Sequence, residues 1–197
     1  MNRICSGVFL VLAVIVAALP AWSADGDFAA RLRGDYAFVQ TRVCSQGTPG
    51  APGINDNLVL LSPNSLRTTG LRGLMSFDGA GGGAFQSEEL QLNAAVTAPG
   101  QPQTGRSLGT CDLAYTVDAD GHVTITLTAC SAVGTLGGVA GMHFTSSDIF
   151  VDGQLSSDDK TLLLSDVAGP VSTVTTVETG LVTVRVCSRT GTAVRVR

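Results

Sequence analysis

The chain has 197 residues, of which 44% are hydrophobic, 14% are charged and only 5% are aromatic. Lys and Arg number 12 against 16 Asp and Glu, a formal net charge of −4, and Lys160 is the single lysine. With its arginines scattered rather than gathered into a stripe, the chain is not expected to bind nucleic acid or anionic lipid, and its length suffices to bury a core without a metal.

Residues 1–23 read as a cleaved secretory signal. Met1 to Arg3 supply a positive start, Val8 to Leu19 form an uncharged apolar run ending at Pro20, and Ala21 and Ser23 are small residues suited to cleavage before Ala24. The run is shorter than the roughly 20 residues a bilayer span requires. Cys5 leaves with the signal, so residues 24–197 are expected to form one domain carrying Cys44, Cys111, Cys130 and Cys187. An even set in an oxidising compartment reads as two disulfides. Spacings without any C-x-x-C argue against zinc, and no cofactor motif appears. The expected location is secreted or periplasmic.

Past the signal, a turn or two of helix is predicted within Asp25 to Arg33. Strand-like runs follow at Tyr36–Cys44, Leu58–Leu61, Leu66–Phe77, Ala84–Val96, Cys111–Val117 and Val123–Ala129, then at Ile149–Leu155, Thr161–Ser165, Val171–Val177 and Leu181–Cys187, with Val194 and Val196 extending the last. Pro99–Gly109 reads as a Pro/Gly linker and Ala132–Gly141 as a glycine-rich mobile lip. The expectation is an all-β antiparallel meander closed into a barrel of about 8–10 strands and stapled by two disulfides, because so many strands need closure to cover their edges.

The hairpin at Asp118–Gly121 allows two registers. A two-residue turn mixes polar and apolar residues on each face. A three-residue loop with left-handed Gly121 instead aligns Val117 with Val123, Tyr115 with Ile125 and Leu113 with Leu127, giving one apolar face, and is preferred. Either register brings Cys111 near Cys130, which leaves Cys44 to join Cys187 across the first and last long strands.

Candidate chemistry is sparse. The glycines at Gly79–Gly83 lead into a strand rather than a helix, so they read as a tight connection and not a phosphate loop. Asp118 and Asp120 lack the further ligands of a calcium loop. His122 and His143 form no metal spacing, and no nucleophile motif occurs. Glu88 and Glu89 point to opposite faces of a strand and cannot act together on one substrate.

Arg42 and Arg185 each stand two residues from a cysteine and share its face. With Val182, Val184 and Val186 on the other side, they read as outward arginines beside an outward disulfide. If Tyr36 and Phe38 mark the interior, Arg42 instead becomes a buried cation able to anchor a ligand carboxylate. Soft and aromatic residues suited to an apolar cavity are Phe38, Met75, Phe77, Phe85, Tyr115, Met142, Phe144 and Phe150. The candidate ligand-binding set is therefore Phe38, Arg42, Phe77, Phe85, Tyr115, His143 and Phe144.

The stretch Leu32-Arg33-Gly34-Asp35-Tyr36-Ala37-Phe38, leading to Cys44, together with Val186-Cys187-Ser188-Arg189, resembles small exported bacterial proteins of uncharacterised function. Gly34-x-Tyr36 is also similar to the Gly-x-Trp that opens lipocalins, with Tyr in place of Trp, and the cysteine closing the end strands is similar to calycin barrels. The meander further resembles the allene oxide cyclase and dirigent group. These resemblances imply a barrel with a shaped interior. Three functions are expected: an exported soluble barrel that binds a small, mostly apolar ligand or serves as an envelope accessory protein; a cyclase or isomerase using Tyr115, Arg42 or His143; or a protein-binding inhibitor or adhesin. Membrane insertion is not expected, because the strands lack aromatic girdles. The oligomeric state is left open.

Overall fold

The computed structural model describes residues 28–50, 53–55, 57, 59–95, 103–136, 139–165 and 171–197. The expected signal at 1–23, with its expected cleavage before Ala24, lies outside these residues.

Among the described residues, ten strands follow one short 3-10 turn at Phe28–Arg31. They are β1 (Arg33–Gly47), β2 (Pro63–Asp78), β3 (Gly82–Ala95), β4 (Gln103–Val117), β5 (His122–Leu136), β6 (Val139–Ser146), β7 (Ile149–Leu155), β8 (Thr161–Ser165), β9 (Val171–Thr176) and β10 (Leu181–Arg195). All pairings are antiparallel, and β10 returns to β1, which closes the sheet. β5 pairs with β7 along its first half and with β6 along its second. β10 likewise pairs with β9 and then with β8. β6 and β7 thus share one wall position and β8 and β9 another, so the ring has eight places rather than ten. Among the described residues, no helix is long and apolar enough to cross a membrane.

One end of the barrel is a packed core. Tyr36, Phe38, Met75, Phe77, Phe85, Leu113, Tyr115, Ile125 and Leu162 are all buried there. Phe77 meets Tyr36 and Tyr115 edge to face at 5.4 and 5.0 Å, while Phe38 stacks on Phe85 at 5.1 Å, the offsets that ring quadrupoles favour. The 3-10 turn and Leu32 plug this end, and the Tyr115 hydroxyl lies 2.8 Å from the Leu32 carbonyl oxygen and 3.1 Å from that of Ala29. The Tyr36 hydroxyl donates to the Asp159 carbonyl at 2.6 Å, and Arg31 donates to the Asp159 carboxylate. Arg195 covers the Tyr36 ring from the last strand at 5.5 Å.

The β4–β5 hairpin adopts the one-apolar-face register, with Val117 on Val123, Tyr115 on Ile125, Leu113 on Leu127 and Gly121 left-handed at φ 81°. The pairing then jumps between Thr110 and Asp112, where Ala129 takes φ 49°. This bulge sets Ala129 and Cys130 against the single residue Cys111, returns Cys130 to the inside and permits the Cys111–Cys130 disulfide. Cys44 and Cys187 are register partners on β1 and β10 and form the second bond, at a sequence separation of 143. Two disulfides suit a non-reducing environment.

Three expectations change. The glycine-rich segment and much of the Pro/Gly linker are strand: Gly105 to Gly109 pair with Leu136 to Ala132. A Cβ on Gly134 would lie 2.5 Å from the Arg106 carbonyl oxygen and 2.6 Å from the Ser107 Cβ, so glycine is needed there for close approach rather than for a bend. β6, over Val139–Ser146, was hidden by the same small residues. Within the expected strand Leu58–Leu61, by contrast, the described residues 59–61 form no strand, and of them only Leu60 makes an isolated bridge, to Ile54.

Replacing Cys44 and Cys187 together by Ala should lower the unfolding free energy by roughly 2–5 kcal/mol, as measured by urea denaturation. Gly134→Val should destabilise the barrel with both disulfides intact, and an unchanged urea midpoint would contradict the close approach of β4 and β5.

Candidate ligand-binding cavity

Above the packed core the barrel holds a cavity of about 620 Å³, within the roughly 300–1,000 Å³ usual for small-molecule sites. Its two walls differ because the strands bring different residues to their inner faces. Leu71, Met75 and Phe85 form the floor with Ile125 and Leu127, and Met142, Phe144, Ile149, Val151 and Val174 line the β6–β9 side. The β10–β1–β2–β3 side is polar and charged. Arg42 and Arg189 are direct register partners, as are Arg185 and Gln46, while Arg67 lies beside Cys44 on β2. Arg42, Arg67 and Arg189 are buried at 8%, 6% and 6% exposure, and Arg185 also lines the cavity.

Four guanidiniums therefore face the interior with, among the described lining residues, one carboxylate, Glu89. Glu89 Oε2 accepts from Arg42 Nη2 and Arg67 Nη2, each at 3.0 Å. Arg67 Nε donates to Thr69 Oγ1 at 3.1 Å. Burial pushes the Glu89 carboxyl up, but the charges of Arg42, Arg67 and Arg185 outweigh it and hold the group below its ordinary range. Arg67 is lowered to about 10 by burial and by Arg42, against the pull of Glu89. Arg185 is lowered well below the usual arginine value by burial and by its neighbours Arg67 and Arg42. The Nε atoms of Arg42 and Arg185 are buried without a hydrogen-bond partner, as are the acceptors Gln91 Oε1, Asn93 Oδ1 and Ser146 Oγ around the same space. Unpaired buried donors and acceptors are costly, and here all five belong to residues that line the cavity.

Of the residues singled out from sequence, Arg42, Met75, Phe85, Met142, Phe144 and Arg185 line the cavity. Phe38, Phe77 and Tyr115 belong to the packed core below it. His143 lies on the outer wall, 2.7 Å from Glu178 Oε1, and Phe150 is exposed. Arg42, Tyr115 and His143, the polar groups of the cyclase expectation, thus occupy three separate places. The arginines flanking the disulfide face inward, contrary to the outward expectation, because Cys44 and Cys187 themselves point into the barrel. Arg67, Glu89, Gln91 and Arg189 also line the cavity and are not among the candidate ligand-binding residues expected from sequence. Their signal was parity: Arg67 alternates in phase with Leu71, Met75 and Phe77, and Glu89 with Phe85. Glu88 points outward to Arg72 and Arg106.

No family model matches the chain, and no curated protein matches it in sequence. Among the described residues, no cluster of His, Cys, Asp and Glu is arranged to hold a metal ion.

Glu89→Gln removes the carboxylate shared by the buried Arg42 and Arg67 and should cost about 3–5 kcal/mol of stability. Arg185→Gln removes a buried like charge and should be neutral or stabilising in the same urea titration. Because the Glu89 pKa is lower in the folded chain, its stabilisation is complete above the unfolded value of about 4.3 and is lost as pH falls through the folded value. The acid limb of stability against pH should flatten in Glu89→Gln; an unchanged limb would show that Glu89 carries no such linkage.

Proposed function

We propose that the protein is an exported carrier whose barrel encloses one small amphipathic molecule. The observation that carries this reading is a cavity with two unlike walls, apolar from its floor up the β6–β9 side and arginine-lined on the β10–β3 side. A mostly apolar ligand suits the first wall by burial of its surface, and an anionic end suits the second. The inward Arg42 fits the carboxylate-anchoring role considered from sequence. Carriage rather than catalysis is favoured by the separation of Tyr115 and His143 from Arg42, and by the absence of any other histidine, cysteine thiol or acid pair at the cavity among the described residues. The similarity of the Gly34-x-Tyr36 opening to lipocalins agrees with this role. Two disulfides and the apolar leader at 1–23 support release into a secreted or periplasmic setting.

Two measurements test the proposal. Mass spectrometry of protein recovered from its own host should give a mature chain beginning at Ala24, and recovery of an intact leader would remove the export half. Anilinonaphthalene sulfonate, an aromatic anion, should bind the mature disulfide-bonded protein once and gain fluorescence. Val174→Trp, which projects a large ring from the apolar wall, should abolish that gain while the protein stays folded by circular dichroism. Undiminished fluorescence in this variant would place the probe outside the barrel and defeat the carrier reading.

A further inference from the structure

The interior charge narrows the ligand beyond a generic amphiphile. Arg42, Arg67 and Arg185 share the cavity with one carboxylate among the described lining residues, Glu89, so three cations face a single negative charge inside a wall where burial makes charge expensive. Glu89 does not satisfy the set: a single oxygen, Oε2, serves both Arg42 and Arg67 at 3.0 Å. The Nε atoms of Arg42 and Arg185 remain buried and unpaired. Arg42 and Arg189 also sit directly opposite one another across the closing strands.

A monocarboxylate offers two oxygens and one charge to this arrangement. A phosphate monoester offers three peripheral oxygens and, above its second pKa of about 6, nearly two charges. Planar guanidinium forks match such oxygens in bidentate fashion, which a point-charge lysine does not, and the chain has placed arginine and no lysine around this space. Resting on the carrier reading above, we infer that the arginine wall takes a dianionic phosphate group, with the apolar wall receiving the organic part of the same molecule. A lipid phosphate and free inorganic phosphate share this chemistry, and only the first uses Leu127, Phe144 and Val174.

The test is calorimetric titration of the mature disulfide-bonded protein, above the second phosphate pKa, with dodecanol, dodecanoate, dodecyl phosphate, dodecyltrimethylammonium and inorganic phosphate, each below its micellar concentration. Dodecyl phosphate should bind about tenfold or more tightly than dodecanoate, and the ammonium compound least of all. Arg185→Gln should reduce the ratio of phosphate to carboxylate affinity, and Arg185→Lys, which keeps the charge but loses the fork, should restore it only in part. Arg72→Gln, on the outer wall, should leave the ratio unchanged. If inorganic phosphate binds as tightly as dodecyl phosphate, the phosphate site stands and its source is the free ion. If dodecanol and dodecanoate bind but dodecyl phosphate is no tighter than dodecanoate, the phosphate inference is overturned and the carrier reading survives. If no amphiphile binds and phosphate does not either, both fall.

Discussion

The seam between β1 and β10 governs most of what this barrel contains. Strands alternate their side chains with a period of two, so deciding the side on which Cys44 meets Cys187 decides the side for every second residue along both strands. The bond lies inside the ring. Tyr36, Phe38 and Arg42 on β1, and Arg185, Arg189 and Ala193 on β10, are therefore committed to the interior as well. The register then carries the commitment to β2 and β3, where Cys44 stands opposite Arg67 and Leu71 opposite Glu89. Aromatic packing at one end and the arginine wall above it are two stretches of the same alternation.

That alternation imposes an energetic division along the barrel axis. The plugged end is close-packed and dry, with Tyr36 and Tyr115 tied by hydroxyl hydrogen bonds to the backbone that closes it. This end resembles any small all-β core, and its burial supplies the stability. Above it, Arg42, Arg67 and Arg185 face one carboxylate among the described lining residues, Glu89, an arrangement that opposes folding unless something compensates. Spending stability in this way is typical of sites shaped for a partner rather than for the fold. The molecule tolerates it because the costly ring stands on a core that does not share its residues.

Much of the architecture was legible in the sequence because it rests on local rules. The Asp118–Gly121 loop, the parity of Leu113, Tyr115, Ile125 and Leu127, and the need to cover strand edges led to the hairpin register, a closed meander and both disulfides. Glycine misled where it serves two unrelated purposes. At Gly121 it supplies a left-handed turn, as its position suggests. At Gly134 it removes a side chain so that two strands can approach, and nothing within a single segment distinguishes that use from a loop. The arginine wall was only half visible. Arg42 could be assigned to either face because Val182, Val184 and Val186 form an equally convincing inner stripe, and Val184 is indeed buried despite its opposite parity. Arg67 and Glu89 keep the inward parity of Leu71 and Phe85 on their own strands, but their meeting with Arg42 depends on the registers of three strands together, which no local pattern conveys.

Closure by the first and last strands also bears on when this protein can fold. The partner of Cys44 lies 143 residues downstream, and β1 pairs with β10 almost to the end of the chain, with Tyr36 opposite Arg195. Such distant pairing is slow, because the chain entropy of closing the loop must be overcome before any contact at the seam is made. One edge of β1 consequently stays open until nearly the whole polypeptide has emerged. Closure is thus reserved for the end of synthesis: neither the ring nor the Cys44–Cys187 bond that locks it can form before the last strand is in place.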